Sequence, residues 1–301
     1  MNKIQALAVT LPLALLLGAC AAGGTGKQEA ASSQPVEIYG KTVQADPALA
    51  ARIPADFAAD GVLRAPNMLM DPIGLTDQDG KDAGVVPDLV KAMGARLGLK
   101  TETELGSFDA QVPGVMSGRY TMSTFTGDFP ARRDVLEMVD YLKSGFAYIT
   151  MADNPKGIEK FDDMCGLSIG TLKGASQEVA AEKFAEECTT KGLPAPELQS
   201  FSNTLLSVPL QAGRVDVIWD NTSTFYGFEK DQPGVYVMPV EPTFNAYLAF
   251  GVAKGNTEAR DLLKDTLQSL IDDGTYGAIL EHWGQQELGI PAALVNSDIQ
   301  K

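Results

Sequence analysis

Apolar positions along this chain fall into two successive sets of short extended runs separated by amphipathic segments. In the first set, Val62 to Ala65 reads as a strand. Pro87 to Leu97 then reads as a helix with Leu89, Val90, Met93 and Leu97 on one face, and Gly98 is placed to stop it. A strand over Lys100 to Glu104, a helix over Asp109 to Ser117 and a strand over Tyr120 to Phe125 follow. The second set begins near Cys165. Leu167 to Thr171, Glu197 to Phe201 and Val215 to Trp219 read as strands; Ser176 to Cys188 and Asn203 to Ala212 read as helices, and another helix opens near Asn221. Extended runs at Phe146 to Met151 and about Ala246 to Val252 lie between and after the sets, and the long helices Glu258 to Asp272 and Thr275 to Trp283 close the chain. Such alternation predicts helix-covered, mainly parallel sheets.

Ahead of this body, Leu49, Ile53 and Phe57 give Asp46 to Asp60 a helical spacing, interrupted by Pro54. Asp77 to Lys81 has the turn chemistry of a hairpin. Residues 1–19 are a separate object: Lys3 is positive, and Ala6 to Ala19 carries no charge. That run is shorter than the roughly 20 residues of a membrane-spanning helix, so it reads as an export signal. It ends Leu17-Gly18-Ala19-Cys20, which resembles a bacterial lipobox, in which the cysteine becomes the lipidated N-terminus; the alternative is ordinary signal-peptidase cleavage with Cys20 incidental. Residues 20–45 read as a flexible tether, with Ala21 to Pro35 rich in Ala, Gly, Ser and Gln.

With 301 residues the chain is long enough for two lobes, each with its own core. Acidic residues outnumber basic ones 39 to 24, a net charge of -15, so the long-range field repels phosphate backbones and argues against nucleic-acid binding. Setting Cys20 aside leaves Cys165 and Cys188, an even number in an exported, oxidising setting, and a disulfide between them is expected. There is no CxxC spacing, and the single histidine, His282, is distant in sequence, so no metal site and no cofactor are implied.

The most informative stretch runs from Thr126 to Ser144. The strand ending near Phe125 gives way to a loop with Gly127 and Pro130, and Arg132 stands just past the strand end, where α/β sheets place crevice ligands. Its planar, permanently charged fork matches a carboxylate bidentately. Thr124-Phe125-Thr126, Pro130-Ala131-Arg132 and Leu136 to Tyr141 resemble the strand end, the Thr-Pro-Glu-Arg-like turn and the Val-Asp-Phe-like strand of the family 3 extracellular solute-binding proteins. The resemblance covers about Gly61 to Ile290. It implies a type II periplasmic-binding-protein-like α/β fold: two mainly parallel sheets joined by a two-strand hinge, with lobe 1 over 46–147, lobe 2 over 148–246, and a return to lobe 1 over 247–301.

The same resemblance nominates the ligand contacts. Arg132 matches the carboxylate-binding arginine, and Arg133, one step out, is expected to face solvent. Family members place Ser or Thr five residues before the arginine; here that residue is Gly127 with Thr126 beside it, which means either a one-residue insertion or a missing hydroxyl contact. Asn67, Met70-Asp71-Pro72-Ile73 and Asp79-Gly80-Lys81 resemble the first-lobe segment, with aliphatic Met70 and Ile73 where an aromatic wall is usual, and Phe108 stands where an aromatic is often found. Ile169 to Glu178 resembles the second-lobe Gly-Thr-Thr-Gln-Glu loop, so Ala175, Ser176 and Gln177 are expected to offer a helix N-terminus to an anion, with Ser176 also a candidate N-cap. The ammonium-binding aspartate falls on Asn221 or on Asp220.

The implied function is a lipid-anchored substrate-binding protein of an ABC importer. It would be monomeric, held outside the cell membrane, and would capture a small carboxylate-bearing solute such as an amino acid for a permease. The alternative is an enzyme on the same scaffold, dehydratase-like or cell-wall lytic, which would require a positioned acid or base.

Overall fold

The computed structural model describes residues 35–107, 110–173, 175–201 and 206–299. Residues 1–19, Cys20, the first part of the expected tether and Phe108 lie outside them.

Folded structure begins within the expected tether. β1 (Val36–Ile38) and β2 (Lys41–Val43) form an antiparallel hairpin turned through Tyr39 and Gly40, both at positive φ, and Ile38 and Val43 are buried. Three alternating apolar residues in a polar stretch are enough to dock this hairpin on the first core. α1 (Pro47–Ala50) is one turn capped by the Asp46 carboxylate rather than a helix through residue 60. Pro54 lacks the N–H that a continuing helix would need.

The first lobe follows in order: β3 (Val62–Asn67), the small hairpin β4 (Leu75–Thr76) and β5 (Asp82–Ala83), α2 (Val85–Leu97), β6 (Lys100–Leu105), α3 (Gln111–Met116), β7 (Ser123–Gly127) and the single turn α4 (Pro130–Arg133). β3 pairs in parallel with β6, and Thr121 N to Arg64 O (2.8 Å) and Thr124 Oγ1 to Pro66 O (2.7 Å) tie β3 to the β7 segment. α2 buries Leu89, Val90, Met93 and Leu97 and ends where Gly98 takes up the left-handed conformation, φ 70°, that glycine adopts without a Cβ clash.

β8 (Leu136–Met151) is a single strand of 16 residues where two separate runs were expected. Then come β9 (Ser168–Leu172), α5 (Ser176–Thr190), β10 (Glu197–Phe201), α6 (Ser207–Gln211), β11 (Val217–Asn221), α7 (Thr222–Asp231), β12 (Tyr236–Val237) and β13 (Thr243–Ala253). The chain ends with α8 (Thr257–Asp272), α9 (Thr275–His282) and β14 (Leu294–Val295). The largest sheet has the order β10-β9-β11-β8-β13-β7. β10, β9 and β11 are parallel, whereas β8 and β13 run antiparallel to their neighbours.

Those two antiparallel strands join the lobes. The early part of β8, residues 136–143, pairs only with lobe-1 partners and the lobe-1 stretch of β13, while residues 146–149 pair with β11 of lobe 2. The crossing point is Gly145. A Cβ there would lie 2.4 Å from Thr243 O and 2.7 Å from Phe244 Cα, so the missing side chain lets β13 cross closely, and the ladder is irregular between Phe244 and Ala246.

Each lobe has its own core. Lobe 1 buries Leu63, Val90, Phe125, Tyr141, Phe250 and Leu267 among others. Lobe 2 packs both faces of its sheet, one around Tyr148, Phe184 and Trp219 and the other around Ile149, Leu210 and Ile218. Cys165 and Cys188 are disulfide-bonded with Cα atoms 5.8 Å apart, pinning the last turn of α5 to the segment before β9. No helix among the described residues is long and apolar enough to cross a membrane.

Candidate ligand-binding cleft

A cavity of about 340 Å³ lies between the lobes. Lobe 1 supplies Met68, Met70, Phe125, Gly127, Phe129 and Arg132; lobe 2 supplies Leu172, Lys173, Ala175 to Gln177, Asp220 and Asn221. The hinge strands line it with Ser144, Phe146, Asn245 and Ala246. A second branch of about 200 Å³ shares Met68, Met70, Leu172, Asp220 and Asn221 and adds residues of α7 with Asp71. Both lobes and the hinge therefore border one space.

Arg132 is held over this space by backbone geometry. Pro130 starts α4 with its fixed φ, and one turn later the side chain folds back over the end of β7. Arg132 Nη1 donates to Gly127 O at 2.9 Å, and its guanidinium lies 5.5 Å from the Phe129 ring centre. The missing side chain at Gly127 makes room for this arrangement: a Cβ there would meet Phe129 Cε2 at 2.7 Å and Arg132 Nη1 at 3.2 Å, so both side chains would have to shift. Burial lowers the Arg132 pKa, but a guanidinium stays charged at any physiological pH.

Strand alternation settles the neighbouring hydroxyl. Phe125 and Gly127 point to the cavity, and Thr126 points the other way, buried, with its Oγ1 donating to Ser123 Oγ at 2.7 Å. Thr126, expected as a contact, therefore does not line the cavity, and Gly127 stands at that wall without a hydroxyl. Asn67 is likewise turned away. It is fully buried, its Nδ2 donates to Leu75 O (3.1 Å) and Asp82 Oδ1 (2.8 Å), and its Oδ1 accepts from Met68 N, so it braces the loop that presents Met68 and Met70. Ile73 is a core residue, whereas Met70 lines both branches.

In lobe 2, Ala175 rather than Ser176 is the N-cap of α5, and no side chain caps it. Ser176 is the first helical residue, its Oγ donating to Gln177 Oε1 at 3.2 Å. The first-turn N–H groups of a helix have no intrahelical acceptors, and here that end, with Lys173 beside it, borders the cavity. Asp220 and Asn221 both line it, because β11 ends there and the two faces of a strand open together at its terminus. Asp220 is buried, and burial pushes its carboxyl up to about 6, against the opposing pull of hydrogen bonds from Asn221 N and from Thr224 Oγ1 at 3.1 Å. A buried carboxyl of this kind is positioned for a cation, whereas Asn221 brings only a neutral amide.

Several lining residues are not among the ligand contacts nominated from the sequence: Phe129, Lys173, Ser144 and Asn245 on the main branch, and Asp71 and Asp231 on the second. Asp231 falls seven residues after Thr224 on the same helix face, a spacing visible only once α7 is known to border the cleft. His282 stacks on Tyr39 with ring centres 3.7 Å apart and does not line the cavity.

The family model of bacterial extracellular solute-binding proteins, family 3, matches residues 67–286. Over 259 residues the chain is 27% identical to an arginine-binding protein of Corynebacterium glutamicum, covering 83% of each. Among solved structures it is similar to an ancestral cationic amino-acid solute-binding protein, with a TM-score of 0.66 at 24% identity over 76% of this chain and 97% of that one. An ancestral arginine-binding protein bound to arginine gives a TM-score of 0.59 at 27% identity over 74% of this chain and 98% of the other.

Proposed function

This chain belongs to the bacterial extracellular solute-binding proteins, family 3, and from that premise we propose that it captures a free amino acid between its lobes and delivers it to an ABC permease. The observation that carries the reading is a single cavity with a guanidinium on the lobe-1 wall, Arg132, and a carboxylate on the lobe-2 wall, Asp220. A zwitterionic head group complements that pair. Its carboxylate pairs with Arg132 and is supported by the N-terminus of α5, and its ammonium pairs with Asp220, with Asn221 as a further acceptor.

Because the two charges sit on different lobes, a ligand holding both binds the closed arrangement better than the open one. Closure about Gly145 and residues 244–246 is then driven by differential affinity, as any ligand-linked shift must be. The mature protein works as a monomer tethered by a lipid on Cys20, outside the membrane and within reach of its permease. Cys20→Ala should shift the protein from the membrane fraction to the soluble exported fraction, and a wild-type protein without acyl mass would remove the anchor from the model.

The test of the function is recovery of the natural ligand. Mature protein is denatured, the released small molecule is identified by mass spectrometry, and the apo-protein is titrated with L-amino acids in a calorimeter. An amino acid should be recovered and should rebind; failure of all proteinogenic amino acids to bind would sink the reading. Asp220 is also the group a dehydratase-like enzyme would use, since a perturbed carboxyl in a cleft suits acid-base work. The recovered ligand should therefore persist unchanged on prolonged incubation with the protein, and conversion to a new mass would favour the enzyme.

A further inference from the structure

The second branch of the cavity runs along one face of α7. Thr224, Gly227, Phe228 and Asp231 line it, and their spacing places them in a single stripe of the helix. The stripe starts beside Asp220, which accepts from Thr224 Oγ1, and ends at Asp231. Seven residues of α-helix separate its ends by roughly 10 Å. The facing wall comes from lobe 1, where Met68 and Met70 give apolar surface and Asp71 follows. Gly227 sets how closely the walls approach, because a Cβ there would lie 2.9 Å from Pro72 Cδ.

Asp71 and Asp231 thus bring two like charges from different lobes to the same end of an apolar corridor. Burial raises the Asp71 pKa, and Asp231 raises it further, with Lys230 acting in the opposite direction. Lys230 does not line the corridor; its Nζ lies 4.8 Å from the Trp283 ring centre. Two carboxylates facing each other across a gap repel, and a cation between them relieves that cost.

Resting on the reading of Arg132 and Asp220 as the head-group site, we propose that this corridor is a side-chain subsite for a terminal cation, with Asp71 and Asp231 holding the ammonium or guanidinium of a long basic amino acid from the two lobes. An extended side chain of five bonds reaches roughly 6 Å beyond its α-carbon. Adding charge-assisted hydrogen bonds of about 2.8 Å at the two ends gives a span close to that of the α7 stripe. Met68, Met70 and Leu172 supply the surface for its methylenes. Asp231 lies outside the motifs that carry the family resemblance, Asp71 lies within the first-lobe segment without being nominated there as a ligand contact, and both stand apart from the head-group residues.

The test is calorimetric titration of the mature protein with L-arginine and with L-citrulline, its uncharged isostere. Wild type should prefer L-arginine by about tenfold or more. The double variant Asp71→Asn, Asp231→Asn should lose most of that preference while L-citrulline affinity stays within about twofold, with thermal melting as the folding control. Equal affinities in wild type, or an undiminished preference in the double variant, would overturn the subsite and leave the head-group reading standing. Binding of neither compound to wild type would overturn the subsite, while the head-group reading would stand or fall with the full panel of L-amino acids. The wild-type comparison decides the matter even if the variants fold poorly.

Discussion

Arg133 Nε donates to Asp128 Oδ1 at 2.6 Å, one residue along from the arginine that faces the cavity. Asp128 is buried and also accepts from Ser297 N at 2.9 Å, and Arg133 Nη1 lies 2.8 Å from Asp298. The Arg133 side chain is only 18% exposed, so it does not face solvent as its place beside Arg132 suggests. It clasps the C-terminal segment against the loop that carries the site.

The two neighbouring arginines should therefore fail in different ways. Arg132→Ala should cost about 2 to 5 kcal/mol of binding with little change in unfolding, because it removes the charge proposed to meet the ligand carboxylate. Arg133→Ala should cost about 3 kcal/mol of stability, because Asp128 is left buried without its cation. Urea unfolding and calorimetry on both variants check this. Near-wild-type affinity in Arg132→Ala would place the carboxylate elsewhere.

Closing the segment between Cys165 and Cys188, 23 residues apart, should stabilise lobe 2 by about 3 kcal/mol. Cys188 is fully buried and Cys165 packs on the same cluster as Phe184 and Trp219, so reduction also loosens the end of α5. Denaturant midpoints with and without reductant measure the difference, and thiol labelling of the unreduced, denatured protein should modify neither cysteine.

Local signals made much of this fold legible in the sequence. Gly98 marked a helix end because a left-handed residue favours glycine, and Leu89, Val90, Met93 and Leu97 marked the buried face by their spacing. The disulfide followed from cysteine arithmetic and the position of Arg132 from a motif. What was hidden depends on contacts between distant segments. Nothing near Gly145 shows that one strand serves two lobes, since the cause is the backbone of Thr243 and Phe244. Thr126 and Gly127 differ by one step of alternation, so the direction of the hydroxyl depended on register, and Arg133 found its second partner, Asp298, far along the chain.

The hinge makes its own prediction. Gly145→Val should destabilise by about 1 to 3 kcal/mol, because its Cβ would stand where Thr243 O lies and β13 would have to move aside. Affinity should fall as well, since the same displacement shifts Ser144, Phe146 and Asn245 in the cavity. Thermal melting with and without ligand separates the two effects; unchanged values in both would mean that the crossing tolerates a side chain.

The last prediction concerns pH, where stability and binding should move in opposite directions. Asp220 titrates near 6 because it is buried, and Asp140 is held well above the carboxylate range by burial and by Asp128. A carboxyl raised in the native state binds its proton more tightly than in the unfolded chain. Its contribution is fully present below the unfolded carboxylate pKa and is lost as pH rises through the native value. Glu137 goes the other way: burial raises it, but hydrogen bonds involving Asn296, Lys254, Gly255 and Arg260 outweigh that and bring it to about 2. Its contribution is present above the ordinary glutamate value and is lost as pH falls toward 2. The ligand-free protein should therefore melt highest on the acid side of neutrality, near the ordinary carboxylate pKa, and lower toward both pH 8 and pH 2. Amino-acid affinity should decline below about pH 6, because a protonated Asp220 no longer pairs with an ammonium. Asp220→Asn should weaken binding at neutral pH, flatten the affinity profile between pH 4 and 6 and make the fall in melting over that range shallower, leaving the part that Asp140 causes and the acid-side fall that Glu137 causes. Melting curves and calorimetry from pH 3 to 8 measure both quantities on one sample, and a wild-type affinity that did not change across pH 6 would show that Asp220 does not meet the ligand's charge.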